Sequence, residues 1–295
     1  MTTEPMVLVP GGTTTIGSAH FYAEERPVRT VTVGDLWFDP HPVTNAEFAR
    51  FVEETGHVTV AEVAPDPADF PGADPALLVP GSQLFTMTDG PVHLGDWTQW
   101  WRWQPGACWR SPEGPDSSWP DVADHPVVHV GWEDASAYAA WAGKQLPTED
   151  QWEYAARGGL VGRDFAWGDE LSPGGAVLAN TFRGPFPWRS EDLDGFDRTS
   201  PVGSYPANGF GLYDLIGNVW EWTCSPWSTD RAGTAEASCC GGSARPLQEA
   251  DRMVIKGGSH LCSPEYCQRY RPAARQGHGV RDTTSHVGFR CVSPA

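Results

Sequence analysis

Cys262 and Cys267 stand in the run Lys256-Gly-Gly-Ser-His-Leu-Cys262-Ser-Pro-Glu-Tyr-Cys267-Gln-Arg-Tyr-Arg271. Two thiols with four residues between them can converge on one ion, join as a disulfide, or be two ordinary thiols. The context favours chemistry. The pair sits between a Gly-Gly turn and an Arg-Tyr-Arg run rather than in an apolar stretch, and Arg269 and Arg271 would favour thiolates. Zinc would want four ligands, and the chain has no second cysteine pair at finger spacing. Two thiolates alone suit a soft ion that accepts low coordination, and Cu(I) is the natural candidate.

Other donor clusters are weaker. His125 and His129 give His-x3-His followed by Glu133. On a helix that spacing would make a metal face, but the intervening Pro126-Val-Val is β-prone, so these read as strand histidines. Tyr213-Asp-Leu-Ile-Gly-Asn-Val-Trp-Glu-Trp222 offers Asp214, Asn218 and Glu221 around a glycine, an oxygen-rich set suited to calcium though not an EF-hand loop. Asn180 and Asp194 lie in another polar loop. No phosphate-binding Gly-rich loop and no Gly-x-Ser-x-Gly elbow is present.

The elements that must position these residues are short. With 33 Gly and 27 Pro in 295 residues, the chain should be compact but loop-rich. Val7–Pro10 and Val28–Val33 read as strands. Thr44-Asn-Ala-Glu47 is a capping box opening a helix with Phe48, Phe51 and Val52 inward and Gly56 as its stop. His57–Val122 reads as a long irregular segment, ordered by its tryptophans. A strand is expected at Pro126–Val130 and a helix at Glu133–Ala142. Thr148-Glu-Asp-Gln151 caps a further helix carrying Trp152, Ala155 and Ala156. Val254–Lys256 and Gly288–Val292 are the last expected strands. No linker divides the chain, so residues 1–295 read as one intertwined α+β domain.

Charge narrows the function. Acidic residues outnumber basic ones, 38 to 20, a net charge of −18 that argues against nucleic-acid binding. No apolar stretch reaches membrane-spanning length, and the N-terminus lacks a basic start, so a cytoplasmic protein is expected. Its seven cysteines should then be mostly free.

Several segments together resemble the formylglycine-generating enzymes, or sulfatase-modifying factors. They are Pro10-Gly-Gly12, Pro42-Val-Thr-Asn-Ala-Glu-Phe48, His125-Pro-Val-Val-His129 and Trp141-Ala-Gly-Lys-Gln-Leu-Pro-Thr-Glu149. Further along come Asn208-Gly-Phe-Gly-Leu-Tyr213, Gly217-Asn-Val-Trp-Glu-Trp222, Lys256-Gly-Gly-Ser259 and Gly288-Phe-Arg-Cys291. The resemblance implies a fold like that of C-type lectins, with little regular secondary structure. It also implies an activity: oxidation by O₂ of a cysteine in a Cys-x-Pro-x-Arg stretch of an unfolded sulfatase to Cα-formylglycine, through loss of a Cβ hydrogen and hydrolysis of a thioaldehyde. Cys262 and Cys267 match the ligands of a Cu(I) cofactor, with the substrate thiolate as third sulfur. Ser259, Tyr266 and Trp220 match residues lining the pocket. Two structural calcium sites are implied, one from Asn180, Asp194 and the carbonyls of Thr181 and Phe196. The other uses Asp214, where the family usually has Asn, with Glu221 and the carbonyls of Gly217 and Val219.

Secreted relatives carry structural disulfides, one of them using the cysteine at Cys291. Here Ala139 and Ala156 stand at the facing positions, so those bridges are absent. No role falls to Cys108, Cys224, Cys239 or Cys240. A monomer is expected. Three rival readings use the same residues: a non-haem iron sulfoxide synthase, a lectin-like binding module, and an oxidoreductase that cycles a Cys262–Cys267 disulfide.

Overall fold

The structure, a computed structural model, describes residues 5–191, 195–229, 248 and 251–295. The chain begins with β1 (Val7–Val9), β2 (Gly12–Ile16), β3 (Arg29–Val33) and β4 (Leu36–Phe38). The helix α1 (Asn45–Thr55) follows, then the hairpin β5 (Gly81–Phe85) and β6 (Trp101–Pro105). Next are α2 (Trp132–Trp141) and α3 (Glu149–Ala156). The last part carries β7 (Trp220–Pro226), β8 (Arg252–Lys256), β9 (Arg275–Gly279), β10 (Val287–Gly288) and β11 (Val292–Pro294). Most of the remainder is turns and short 3₁₀ segments, as a chain rich in Gly and Pro dictates.

The capping boxes do what their residues require. The Thr44 hydroxyl accepts the Glu47 N–H, and Glu47 accepts the Thr44 N–H, so two orphan donors of α1 are satisfied. Gly56 closes α1 at φ +69°, a left-handed position open to glycine without strain. Thr148 and Gln151 cap α3 in the same way. Phe48, Phe51 and Val52 are buried against Trp109, Tyr138 and Phe289.

One sheet, in the order β1-β4-β11, joins the two ends of the chain in antiparallel register, with Val7 and Val292 both opposite Phe38. The sheet that matters for chemistry has the order β10-β7-β8-β9. Its β7, β8 and β9 are antiparallel, while β10 lies parallel to β7. Its inner face packs with α3 through Trp152, Trp222 and Ile255.

Two expectations are corrected. Pro126–Val130 is not a strand: it makes a single bridge, Thr44 to Pro126, and His129 turns to φ +60°. Gly288–Val292 is not continuous, because the chain crosses from the β7 sheet to the β4 sheet between β10 and β11. The described cysteines are mostly free, as expected: Cys108, Cys262, Cys267 and Cys291 are free and Cys224 is disulfide-bonded. Cys239 and Cys240 lie outside the described residues. Among the described residues, no helix is long and apolar enough to cross a membrane.

Candidate active site

The site is made by the turn that leaves β8. Gly257 and Gly258 have φ of +96° and +73°. A Cβ at Gly257 would lie 2.7 Å from the Leu215 carbonyl oxygen, and one at Gly258 would lie 2.8 Å from the Arg269 carbonyl oxygen. Only glycine allows both the handedness and the approach, so this turn lays the Ser259–Cys262 segment against residues 269–270. Beyond it, Cys262 N–H donates to the Ser259 carbonyl and Cys267 N–H to that of Ser263, both at 2.9 Å. Phe182 N–H anchors the carbonyl of Cys262 at 3.0 Å.

These turns place the two sulfurs 3.1 Å apart, unbonded and buried, at 2% and 9% exposure. That is far longer than a disulfide bond and close enough for one ion to bridge. The pair is electrostatically split. Burial pushes the Cys262 thiol well up. Cys267 is held down by the hydrogen bond it receives from Cys262 and by the Arg269 guanidinium, 4.0 Å from its sulfur. The pair can therefore share one proton between its sulfurs, with Arg269 favouring negative charge on Cys267.

Ser259 is fully buried beside them, its hydroxyl oxygen accepting the Leu261 N–H at 3.2 Å. Tyr266 forms the rim. Its ring stacks on Phe186 at 4.7 Å and meets the edge of Trp100 at 5.3 Å, leaving 39% of the residue exposed. Trp220 is buried at the start of β7, in the same core cluster as the two cysteines, with its N–H bonded to the His286 carbonyl.

Sequence reasoning missed how this loop is fastened. The short turn Ala23–Glu25, nearly 250 residues earlier, supplies Glu24 to Arg269 at 2.7 Å and Glu25 to Arg271 through both terminal nitrogens. Tyr22 and Phe21 stack on Arg269 and Arg271 at 3.8 and 3.6 Å. The expectation that both arginines serve the thiols is therefore corrected: Arg271 is spent on Glu25, Phe21 and the Gln268 carbonyl, and only Arg269 reaches a sulfur. Nothing in the local sequence signals contacts at such separation.

The histidines are not a metal face. His125 Nδ1 pairs with Thr199, His129 lies between the Ser82 hydroxyl and the Pro112 carbonyl, and Glu133 is exposed. Among the described residues, no group of three or more His, Cys, Asp or Glu could hold a metal ion.

The residues matched to calcium divide. The Asn180 side chain donates to the Arg198 carbonyl and its own carbonyl accepts the Asn218 N–H, both at 2.8 Å. Asp194 lies outside the described residues. Asp214 is buried at φ +54°, its carboxyl pushed up to about 6 by burial, while one oxygen accepts the Gly203 N–H at 2.6 Å. Glu221 does not face Asp214 without a counter-ion. Arg290 donates to both its oxygens at 2.8 Å, and the Trp152 indole donates to one of them, also at 2.8 Å.

Comparison with known proteins places the whole chain in one family. The family described as sulfatase-modifying factor enzyme 1-like domain matches residues 1–295. The chain is 53% identical over 291 residues to the formylglycine-generating enzyme of Mycobacterium tuberculosis, covering 98% of this chain and 97% of that one. To the formylglycine-generating enzyme of Mus musculus it is 43% identical over 293 residues, covering 98% and 74%. Among solved structures, PvdO from Pseudomonas aeruginosa superposes with a TM-score of 0.63 at 26% identity, covering 97% of this chain and 93% of that one.

Proposed function

Because this chain belongs to the sulfatase-modifying, formylglycine-generating enzyme family and oxidises a cysteine to formylglycine, we propose that Cys262 and Cys267 hold Cu(I) as its cofactor and that O₂ is the oxidant. The observation that carries this is the unbonded sulfur pair, 3.1 Å apart in a buried site. The donor set fits the ion: two soft sulfurs without a third His, Cys, Asp or Glu among the described residues suit Cu(I) and leave zinc under-coordinated. When bound, copper supplies one-electron chemistry toward O₂ and a third coordination position for the substrate sulfur.

The protein's own residues do the rest. Cys262 and Cys267 would both hold the ion as thiolates, and Arg269, 4.0 Å from the Cys267 sulfur, favours the charged form there. The Ser259 hydroxyl, whose oxygen already accepts the Leu261 N–H, is left as a donor toward a ligand at the sulfurs. Tyr266, fixed by Phe186 and Trp100, lines the entry, while Trp220 closes the core behind it. The substrate is an extended Cys-x-Pro-x-Arg segment of an unfolded sulfatase, because a folded chain could not bring its cysteine to sulfurs this buried. The substrate cysteine gives up two electrons and two protons, from its S–H and one Cβ–H, to O₂, which with two further electrons from the reductant leaves as water; one water then hydrolyses the resulting thioaldehyde to the aldehyde and hydrogen sulfide.

For calcium we propose Asp214 and the carbonyls of Gly217 and Val219 as one site, where a cation would supply the charge that the buried carboxyl lacks. The Glu221 carboxylate fits poorly there, since Arg290 and Trp152 already occupy it. Asn180, Thr181, Asp194 and Phe196 remain the candidates for the second site.

The 3.1 Å separation also suits disulfide cycling between the same cysteines, without metal. One experiment separates the two. A Cys-x-Pro-x-Arg peptide is incubated with enzyme, reductant and O₂, and its mass and hydrazine reactivity are followed. Enzyme stripped by a strong Cu(I) chelator should be inactive and recover with stoichiometric Cu(I). Full turnover without copper would refute the copper mechanism.

A further inference from the structure

Arg269 is tied on three sides, and each tie points its charge at the cysteine pair. One terminal nitrogen lies 4.0 Å from the Cys267 sulfur. The other terminal nitrogen is held by Glu24 at 2.7 Å, and the Tyr22 ring covers the guanidinium at 3.8 Å. Tyr22 is itself pinned, its hydroxyl accepting the Gln268 N–H at 3.0 Å. The Arg269 Nε–H is buried and has no acceptor among the described residues. Arg271, two residues on, has all three of its nitrogens satisfied by Glu25 and the Gln268 carbonyl. Arg271 has the pattern of an arginine that ties two segments together. Arg269 instead divides its two terminal nitrogens between the Cys267 sulfur and Glu24.

We propose that Arg269, fixed by Glu24 and Tyr22, is a positioning residue that acts as the counter-cation of the Cys262/Cys267 sulfur pair. The need for it follows from charge. Two thiolates around Cu(I) leave one negative charge, and a third thiolate from the substrate leaves two, in a buried site on a protein of net charge −18. A fixed guanidinium beside one sulfur offsets that accumulation, and its rigid fork lets Glu24 hold it without drawing it off. The copper part rests on the function proposed above. The counter-cation part does not.

Two measurements on the full chain test it, with R269Q and R269K. The first is Cu(I) affinity by competition with a chromogenic chelator under anaerobic conditions. R269Q should bind about tenfold more weakly or worse, and R269K, which keeps the charge, should recover most of the loss. The second needs no metal. The 262–267 segment is labelled with an anionic and with a neutral disulfide reagent at one pH, and the ratio of rates is compared with that of a cysteine peptide. The fraction of thiolate cancels in the ratio, which therefore reads local charge. Wild type should favour the anionic reagent several-fold over the peptide, R269Q should lose that preference, and R269K should keep it. Should R269Q fail to fold, the wild-type ratio against the peptide still decides. An unaltered ratio in R269Q, a wild-type ratio equal to the peptide's, or an R269K that behaves like R269Q would overturn the proposal. Absence of Cu(I) binding in wild type with the expected ratios would refute the copper reading and uphold the counter-cation.

Discussion

Replacing Arg290 by Met tests the buried ionic core behind the site. Arg290 and Glu221 are both fully buried, joined by two bonds of 2.8 Å, and Arg290 also donates to the Tyr213 carbonyl at 2.7 Å. R290M leaves a carboxylate in the interior with only the Trp152 N–H to solvate it. Removing one partner of a buried pair costs roughly 3–5 kcal/mol, and the Tyr213 carbonyl, left without this donor, favours the upper end. In a chain of this size that is a fall of about 5–8 °C in melting temperature. Calorimetry and urea unfolding in excess chelator measure it. The double variant E221Q/R290M should lose less than R290M alone, because no charge is then stranded. A loss below about 1 kcal/mol, or a double variant at least as damaged as the sum of its singles, would refute the reasoning.

Three further outcomes are expected. Burial lowers His129 and His260 from 6.5 to about 4, so the unfolded chain binds more protons and stability falls as pH drops through that window. Asp214, raised from 3.8 to about 6, acts in the opposite direction, but one group against two leaves stability falling; a flat stability curve between pH 6.5 and 4 would contradict this. C262S and C267S should each weaken Cu(I) binding by orders of magnitude, measurable by chelator competition; since both sites are buried, each should also cost about 1–2 kcal/mol of stability. Substituting Ala for Arg in the substrate peptide should lower kcat/KM, and the gap should narrow at high salt, because attraction to a surface of net charge −18 is screened; equal rates would remove the electrostatic argument.

Local chemistry was legible in the sequence wherever neighbours in the chain are neighbours in space. Thr44 with Glu47 and Thr148 with Gln151 specify two helix starts, because the bonds close over three residues. The Gly257-Gly258 turn and the spacing of Cys262 and Cys267 bring two sulfurs together within one short loop. The strand misread at Pro126–Val130 shows the limit. Its β-prone residues are overridden because the Val127 N–H bonds to Val43 and the His129 N–H to Thr284, partners that no local pattern names. Charge pairing lies further out of reach. Arg269 and Arg271 are alike in sequence, one residue apart from the same tyrosine, yet one faces a sulfur and the other is locked to Glu25. Their roles are decided by the turn at Ala23–Glu25 and by where the fold lays it, since an ion pair depends on distance in space and not on separation along the chain.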